Sequence, residues 1–224
     1  MQIRKSIYGF LCVSLFFGSF LSSYAQADST KRVGGLTVGI DVSRFFLPIW
    51  NPISGAYEVS LSSDILKNFS IIGEMGALKT NFDEETYHYE SKGTYFRLGF
   101  QYNLLKRKPN ENNTLYVGLL YGLSLYEHKA DQISINDGYW GSGSGSLPTK
   151  KLTGNWAELK TGIRVEVFRN WYIGWSVRVR LYLFGQEDPV MSPYLIPGYG
   201  KGAKKITLGM SYSVFFRIPY GKRK

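Results

Sequence analysis

Ala157-Glu158-Leu159-Lys160-Thr161-Gly162-Ile163-Arg164-Val165-Glu166-Val167 is the stretch on which the reading of the chain turns. Apolar side chains at Ala157, Leu159, Ile163, Val165 and Val167 alternate with Glu158, Lys160, Gly162, Arg164 and Glu166. A period of two puts unlike residues on opposite faces of an extended strand. Acids and bases interleave on the polar face, while the other face carries no charge.

Working outward, seven more runs repeat this period. Leu36, Val38, Ile40 and Val42 oppose Thr37, Gly39, Asp41 and Ser43; Tyr57, Val59, Leu61 and Ile65 oppose Glu58, Ser60, Ser62 and Asp64. Phe69, Ile71 and Met75 oppose Ser70, Glu74 and Gly76; Phe96, Leu98, Phe100 and Tyr102 oppose Arg97, Gly99, Gln101 and Asn103. The run from Leu115 to Leu123 has Gly118, Gly122 and Ser124 on its polar face, interrupted by Leu120. Ile173, Trp175, Val177, Val179 and Leu181 oppose Gly174, Ser176, Arg178 and Arg180. Ile206, Leu208, Met210, Tyr212 and Val214 oppose Thr207, Gly209, Ser211 and Ser213. Each run is about ten residues, the length with which a tilted strand crosses a bilayer.

The connections alternate in length. Lys67-Asn68, residues 106–113 and Arg169-Asn170 are short or moderate, whereas 47–55, 80–92, 127–153 and 185–203 are mostly longer. Short periplasmic turns and longer external loops are the pattern of an outer-membrane barrel. The expected fold is therefore all-β, an eight-stranded antiparallel up-and-down transmembrane barrel.

A soluble lipocalin-like barrel shows the same alternation with its faces exchanged. Three features favour a polar interior. The polar face is mostly Gly and Ser with Lys160 its clearest Lys, unlike a water-facing surface. Small residues also fit the crowded inside of an eight-stranded barrel. Its charges balance: Asp41, Glu58, Asp64, Glu74, Glu158 and Glu166 against Arg97, Lys160, Arg164, Arg178, Arg180 and Arg217. Buried charges persist when paired, and Arg suits carboxylates. Third, Tyr57, Tyr95, Tyr102, Tyr126, Trp156, Trp171 and Tyr172 fall near strand ends, where interfacial aromatic girdles sit.

Residues 1–25 read as a signal peptide: Arg4 and Lys5, an apolar Ile7 to Leu21, then Ser23-Tyr24-Ala25 before a cleavage site. Cys12, the only cysteine of the 224 residues, lies inside that leader, so no disulfide or cysteine metal cluster is expected. A periplasmic segment 26–33, the barrel 34–220 and a basic tail 221–224 follow. The chain carries a formal charge of +10, reduced to +8 without Arg4 and Lys5. Its bases are spread over turns, rim and lumen, which does not make the continuous patch that nucleic acid needs. Arg44, Lys79, Lys204 and Lys205 fall where strands meet external loops, at a height to contact lipopolysaccharide phosphates or simply to solubilise strand ends.

Catalysis finds little support. The two histidines, His88 and His128, fall in separate external loops, and only His88, Glu90 and Ser91 offer an acyl-transfer set. Residues so close on an extended strand do not converge. Two distant histidines make no metal spacing, and Asp83-Glu84-Glu85 reads as a solvated acidic loop. No cofactor is expected. Pro197, flanked by Ile196 and Gly198 with Tyr194 and Tyr199 nearby, gives the last external loop a defined shape, either for contact with a partner or glycan or to cap the mouth.

The most distinctive text is Trp156-Ala157-Glu158, Gly162-Ile163-Arg164-Val165-Glu166, Gly174-Trp175-Ser176-Val177-Arg178, Ile196-Pro197-Gly198-Tyr199-Gly200-Lys201 and Ile218-Pro219-Tyr220. With Asp41, Tyr57-Glu58, Glu74, Tyr95-Phe96-Arg97-Leu98-Gly99 and Tyr102-Asn103, it resembles a Bacteroidetes family of predicted outer-membrane β-barrels of unknown function. The resemblance spans almost all of the mature chain and implies fold and location, without an activity. Many such barrels end in an aromatic residue read by the insertion machinery, whereas this chain continues past Phe216 and Tyr220 to Gly221-Lys222-Arg223-Lys224.

The expectation is an exported outer-membrane barrel whose lumen is closed by charges centred on Glu158, Lys160, Arg164, Glu166, Arg178 and Arg180. Its role would be structural or binding, through external loops that meet outer-membrane lipid, lipopolysaccharide, a surface glycan or an envelope protein, without a transport pore. The alternatives are a lipid A acyl-modifying enzyme at the outer rim and a secreted lipocalin-like carrier.

Overall fold

The computed structural model describes residues 34–45, 53–84, 87–105, 113–137, 141–186, 188–202 and 204–220. The signal peptide, the segment 26–33 and the tail 221–224 lie outside the described residues, as do Glu85 and most of the turn 106–113.

The strands, numbered in chain order, are β1 (Gly35–Asp41), β2 (Ile53–Leu66), β3 (Phe69–Glu84), β4 (Tyr87–Asn103), β5 (Thr114–Asp137), β6 (Gly141–Phe168) and β7 (Trp171–Gly185). A small hairpin of β8 (Leu195–Ile196) and β9 (Gly200–Lys201) precedes β10 (Ile206–Pro219). All eight long strands pair antiparallel in one closed ring, β1-β10-β7-β6-β5-β4-β3-β2. Closure is made by β1 on β10, from Gly35 opposite Pro219 to Asp41 opposite Ser213. Below that seam Tyr220 holds Gly34 through its backbone and Ser63 through its hydroxyl, at 2.7 and 2.8 Å.

The polarity is that of the inward-polar reading. Glu58, Glu74, Glu158, Arg97 and Arg178 are all buried, while Leu98, Leu119, Leu208 and Met210 stand outside. Leu208 is 74% exposed and Glu158 0%, on strands that share the ring. Such an arrangement costs free energy in water on both faces.

Two expectations change. The segments 80–92 and 127–153 are not simple loops: β3 and β4 stay paired to Glu84 opposite Tyr87, and β5 and β6 to Asp137 opposite Gly141. Above the apolar belt the outward face turns polar at Lys79, Glu90 and Lys129, while the inward face mixes Ser91 and His128 with Tyr89 and Ala130, so the period of two fades although the backbone ladder continues. The aromatic girdle is also thinner than expected. Tyr95, Tyr126, Trp156 and Tyr172 are buried, because their parity places them on the face of the charges. Tyr57 and Trp171 stand outside, with Phe168 and Phe184 near strand ends. Of the two readings of the Pro197 loop, the last connection takes the mouth-capping one and turns inward. Ile196 and Tyr199 are buried and join Tyr95, Tyr126, Leu152 and Trp156 in the apolar cluster within the barrel mouth.

Candidate functional site

The lumen is organised in three levels. In the middle one, each carboxylate comes from a different strand: Glu58 from β2, Glu74 from β3 and Glu158 from β6. Alternation aims all three inward. Arg97 of β4 reaches Glu58 at 2.6 Å, Glu74 at 2.8 Å and Glu158 at 3.3 Å. Arg178 of β7 approaches the same three at 2.8, 3.2 and 3.7 Å. Lys160 pairs with Glu74, and Arg180 lies 3.2 Å from Glu158. Tyr95 donates its hydroxyl to Glu58 at 2.7 Å. Two guanidiniums shared among three carboxylates cross-link opposite walls in one network, and the fork geometry of Arg is what allows each to serve several partners.

Arg44 belongs here as well. The sequence placed it at the lipopolysaccharide level, but just beyond β1 its side chain folds back into the mouth, 2.8 Å from Glu58 and 3.2 Å from Asp41. That corrects its assignment: a guanidinium paired with two largely buried carboxylates does not face a lipid headgroup. Strand parity gives no guidance in the turn after Asp41, which is why the sequence missed it. Tyr95 was missed too, read as an interfacial aromatic, although the parity it shares with Arg97 could have placed it inside.

The lower level holds residues expected at the centre. Asp64 pairs with Arg217 at 2.6 Å and accepts from Ser70 at 2.7 Å. Arg164 lies over the Phe215 ring at 4.2 Å and near Tyr116 at 5.6 Å. Glu166 accepts the Asn170 backbone N–H at 3.0 Å across the β6–β7 turn. Asn170 adopts φ 68°, a left-handed conformation that Asn tolerates in such a tight turn. Arg164 and Glu166 are therefore not the heart of the network.

The upper level is the inserted connection after β7. Gly198, at φ 77°, lies so close to the Tyr95 ring that a Cβ there would overlap it. Tyr199 packs on Trp156 and Tyr182, with ring centroids at 5.8 and 5.3 Å. Its carbonyl accepts from Arg180 at 2.9 Å and Thr207 at 2.7 Å, tying the plug to the charged level. A second anchor is Asp188, which accepts from Lys150 at 2.7 Å and lies 3.3 Å from His128 Nε2. The Lys150 hydrogen bond, helped by the Val190 N–H, holds the Asp188 carboxyl down at about 2. Burial pushes His128 below its ordinary range, against the pull of Asp188.

The candidate acyl-transfer set is not assembled. Ser91 points inward and is buried, while His88 pairs with Asp83 on the neighbouring strand and Glu90 pairs with Lys79 and Lys129. His128 does stand across from Ser91 in register, but its ring nitrogens are taken up by Asp188 and by the Tyr89 hydroxyl at 3.5 Å. Among the described residues no group of three His, Cys, Asp or Glu is placed to hold a metal ion. Lys79 is exposed and lies 3.5 Å from Glu90; Lys204 and Lys205 are exposed beside the start of β10.

Residues 3–223 match the model of a domain of unknown function, DUF6048. The chain belongs to this family. No curated protein matches this DUF6048 chain. Among solved structures it is similar to a major outer membrane protein from Thermus thermophilus, at 10% identity and TM-score 0.47, covering 83% of this chain and 98% of that one. Ail, the attachment invasion locus protein of Yersinia pestis, follows at 12% identity and TM-score 0.42, covering 83% and 97%. Neisserial surface protein A, NspA, has 12% identity and TM-score 0.38, covering 83% and 96%. At these values nothing about activity passes to the DUF6048 chain.

Proposed function

We propose that this protein is an integral barrel of the outer membrane of a Gram-negative, Bacteroidetes-type envelope, exported by a cleaved leader, with a structural or binding role rather than a catalytic one. The observation that carries the reading is the inverted polarity: a charged network at the centre and an apolar belt around the outside, which a bilayer would cover. A soluble carrier of the lipocalin kind needs the reverse, apolar side chains lining its cavity. The lumen, crossed by Arg97 and Arg178 and capped by Tyr199, is a cross-linked plug and not a conduit. What remains to meet partners is the outer rim and the long paired arms of β3–β4 and β5–β6. Outer-membrane lipid and lipopolysaccharide are the nearest candidates, then a surface glycan or another envelope protein. The insertion machinery would deliver the chain.

Fractionation with heat-modifiable mobility tests this. The protein should appear in the outer-membrane fraction and run faster unboiled than boiled. One unshifted band in a soluble periplasmic or secreted fraction would overturn the membrane reading.

A further inference from the structure

On the outside of β3–β6, register brings one row of charged residues together at the top of the apolar belt. Lys79 stands directly opposite Lys92, Lys92 opposite Glu127, and Glu127 opposite Lys151. Three lysines and one glutamate thus span four neighbouring strands, about 14 Å at about 4.8 Å per strand. Like charges directly across a ladder repel. Glu90 lies 3.5 Å from Lys79 and Glu127 lies 3.0 Å from Lys92, but Lys151 has no ion pair among the described residues. The row keeps a surplus of positive charge, and its lysines are exposed, Lys79 and Lys92 by 54% and 58% of their side chains.

One row lower the residues are small. Ala77 and Thr94 lie between the taller Tyr57 and Leu125, and Thr153 lies beyond Leu125, all in register along neighbouring strands. They leave a depression of about 660 Å³, with Lys79, Lys92 and Lys151 along its upper edge. Below it the wall is apolar, through Met75 and Phe96, both about half exposed. A basic rim over a shallow hollow that opens onto an apolar wall has the layout of an amphiphile: anionic head above, acyl chains below.

We propose that this hollow seats the phosphorylated headgroup of an outer-leaflet lipid, with phosphate on Lys79, Lys92 and Lys151 and acyl chains against Met75 and Phe96. The inference rests on the membrane reading above and gives it a specific lipid contact. The phosphates would relieve the repulsion of the Lys79–Lys92 pair and give Lys151 the ion pair it does not make among the described residues, by the electrostatics that draws basic residues to anionic lipid surfaces.

The test uses the mature chain refolded in neutral detergent, with bisphosphorylated lipid A and the same lipid after enzymatic dephosphorylation as probes. Lipid retention is read by mass spectrometry of the intact protein, and heat-modifiable mobility reports barrel formation separately. The wild type should retain the phosphorylated lipid about ten-fold better than the dephosphorylated one, and K79Q/K92Q/K151Q should lose that preference while keeping its heat-shifted band. Equal retention of the two lipids by a heat-shifted wild type would overturn the site, as would undiminished preference in the variant. So would preferential capture by these lysines of a sulfated oligosaccharide. Absence of a heat-shifted band in the wild type would overturn the membrane barrel itself, and the site with it.

Discussion

Arg178 approaches carboxylates from three other strands, Glu58, Glu74 and Glu158, and also donates to Ser211 at 3.1 Å. Removing its charge leaves three buried acids with Arg97 as their main shared partner. Truncating one side of a buried pair costs about 3–5 kcal/mol, because the remaining charge stays desolvated. Arg178→Leu should therefore lower the unfolding free energy of the refolded barrel by that amount, with a correspondingly lower denaturant midpoint, and Arg178→Lys by less, since an ammonium recovers the charge but not the fork. An Arg178→Leu barrel as resistant as the wild type would contradict the assignment of this face to the interior. At this scale the sequence showed which residues point inward, through parity, but not which of them meet. Arg164 lies six residues beyond Glu158, about 20 Å further along the strand at about 3.3 Å per residue. Proximity in the text made the two look like one cluster; the partners of Glu158 are instead Arg97 of β4 and, on the adjoining strand β7, Arg178 and Arg180.

The inserted connection after β7 is an element held at two points. One is Tyr199 against Arg180 and Thr207, and the other is Asp188 against Lys150 of β6 and His128 of β5, with Tyr89 of β4 on the far side of the imidazole. The second point titrates. The Asp188 carboxyl, held at about 2 against an ordinary 3.8, contributes stability that is complete above 3.8 and is lost as pH falls towards 2. His128, depressed by burial, contributes stability that is complete above its unfolded value of 6.5 and declines as pH falls below it towards the folded value. Both act in the same direction, so acid loosens the plug. The thermal midpoint should fall in two stages between neutral pH and pH 2, and Asp188→Asn should diminish the lower stage, the rest of which belongs to the carboxylates paired with Arg97 and Arg178. A midpoint in Asp188→Asn that tracks the wild type through pH 2–4 would show that this anchor does not hold the plug. The capping role of this element was one of two readings open beforehand, but its anchors were not legible. Pro197 and the nearby tyrosines signalled a shaped loop, but insertion depends on Gly198 passing beneath the Tyr95 ring, a contact between residues about a hundred positions apart. The paired arms were hidden, because with polar residues outside and Ser91 and His128 mixed with Tyr89 and Ala130 inside, the strands leave no clear period to read.

For the whole molecule, the quantity that matters is the height of the apolar belt. On β3 it runs from Phe69 at the lower turn to Lys79, and on β4 from Tyr102 up to Lys92, with the two ends in register. Ten residues advance about 33 Å along a strand at about 3.3 Å per residue. At a tilt of about 40° that is a rise of about 25 Å, the height of the apolar band in outer-membrane barrels. This much was legible, because the bilayer imposes the alternation and ends it where charge begins. A barrel cross-linked at its centre by Arg97 and Arg178 has little freedom to change tilt, so a mismatched bilayer must deform around it. Reconstituted in phosphatidylcholine bilayers of graded chain length, the protein should show its highest unfolding temperature where the hydrocarbon core is about 25 Å, and lower values in thinner and thicker membranes. A soluble barrel with a solvated outer face would be indifferent to chain length, and a flat series would count against placing the belt between Phe69 and Lys79. A maximum displaced to thicker membranes would instead move the upper boundary beyond Lys79 and carry the lysine row into hydrocarbon, where unneutralised ammonium groups are costly. The thickness series and the lipid-retention experiment therefore constrain the same row of residues from two independent sides.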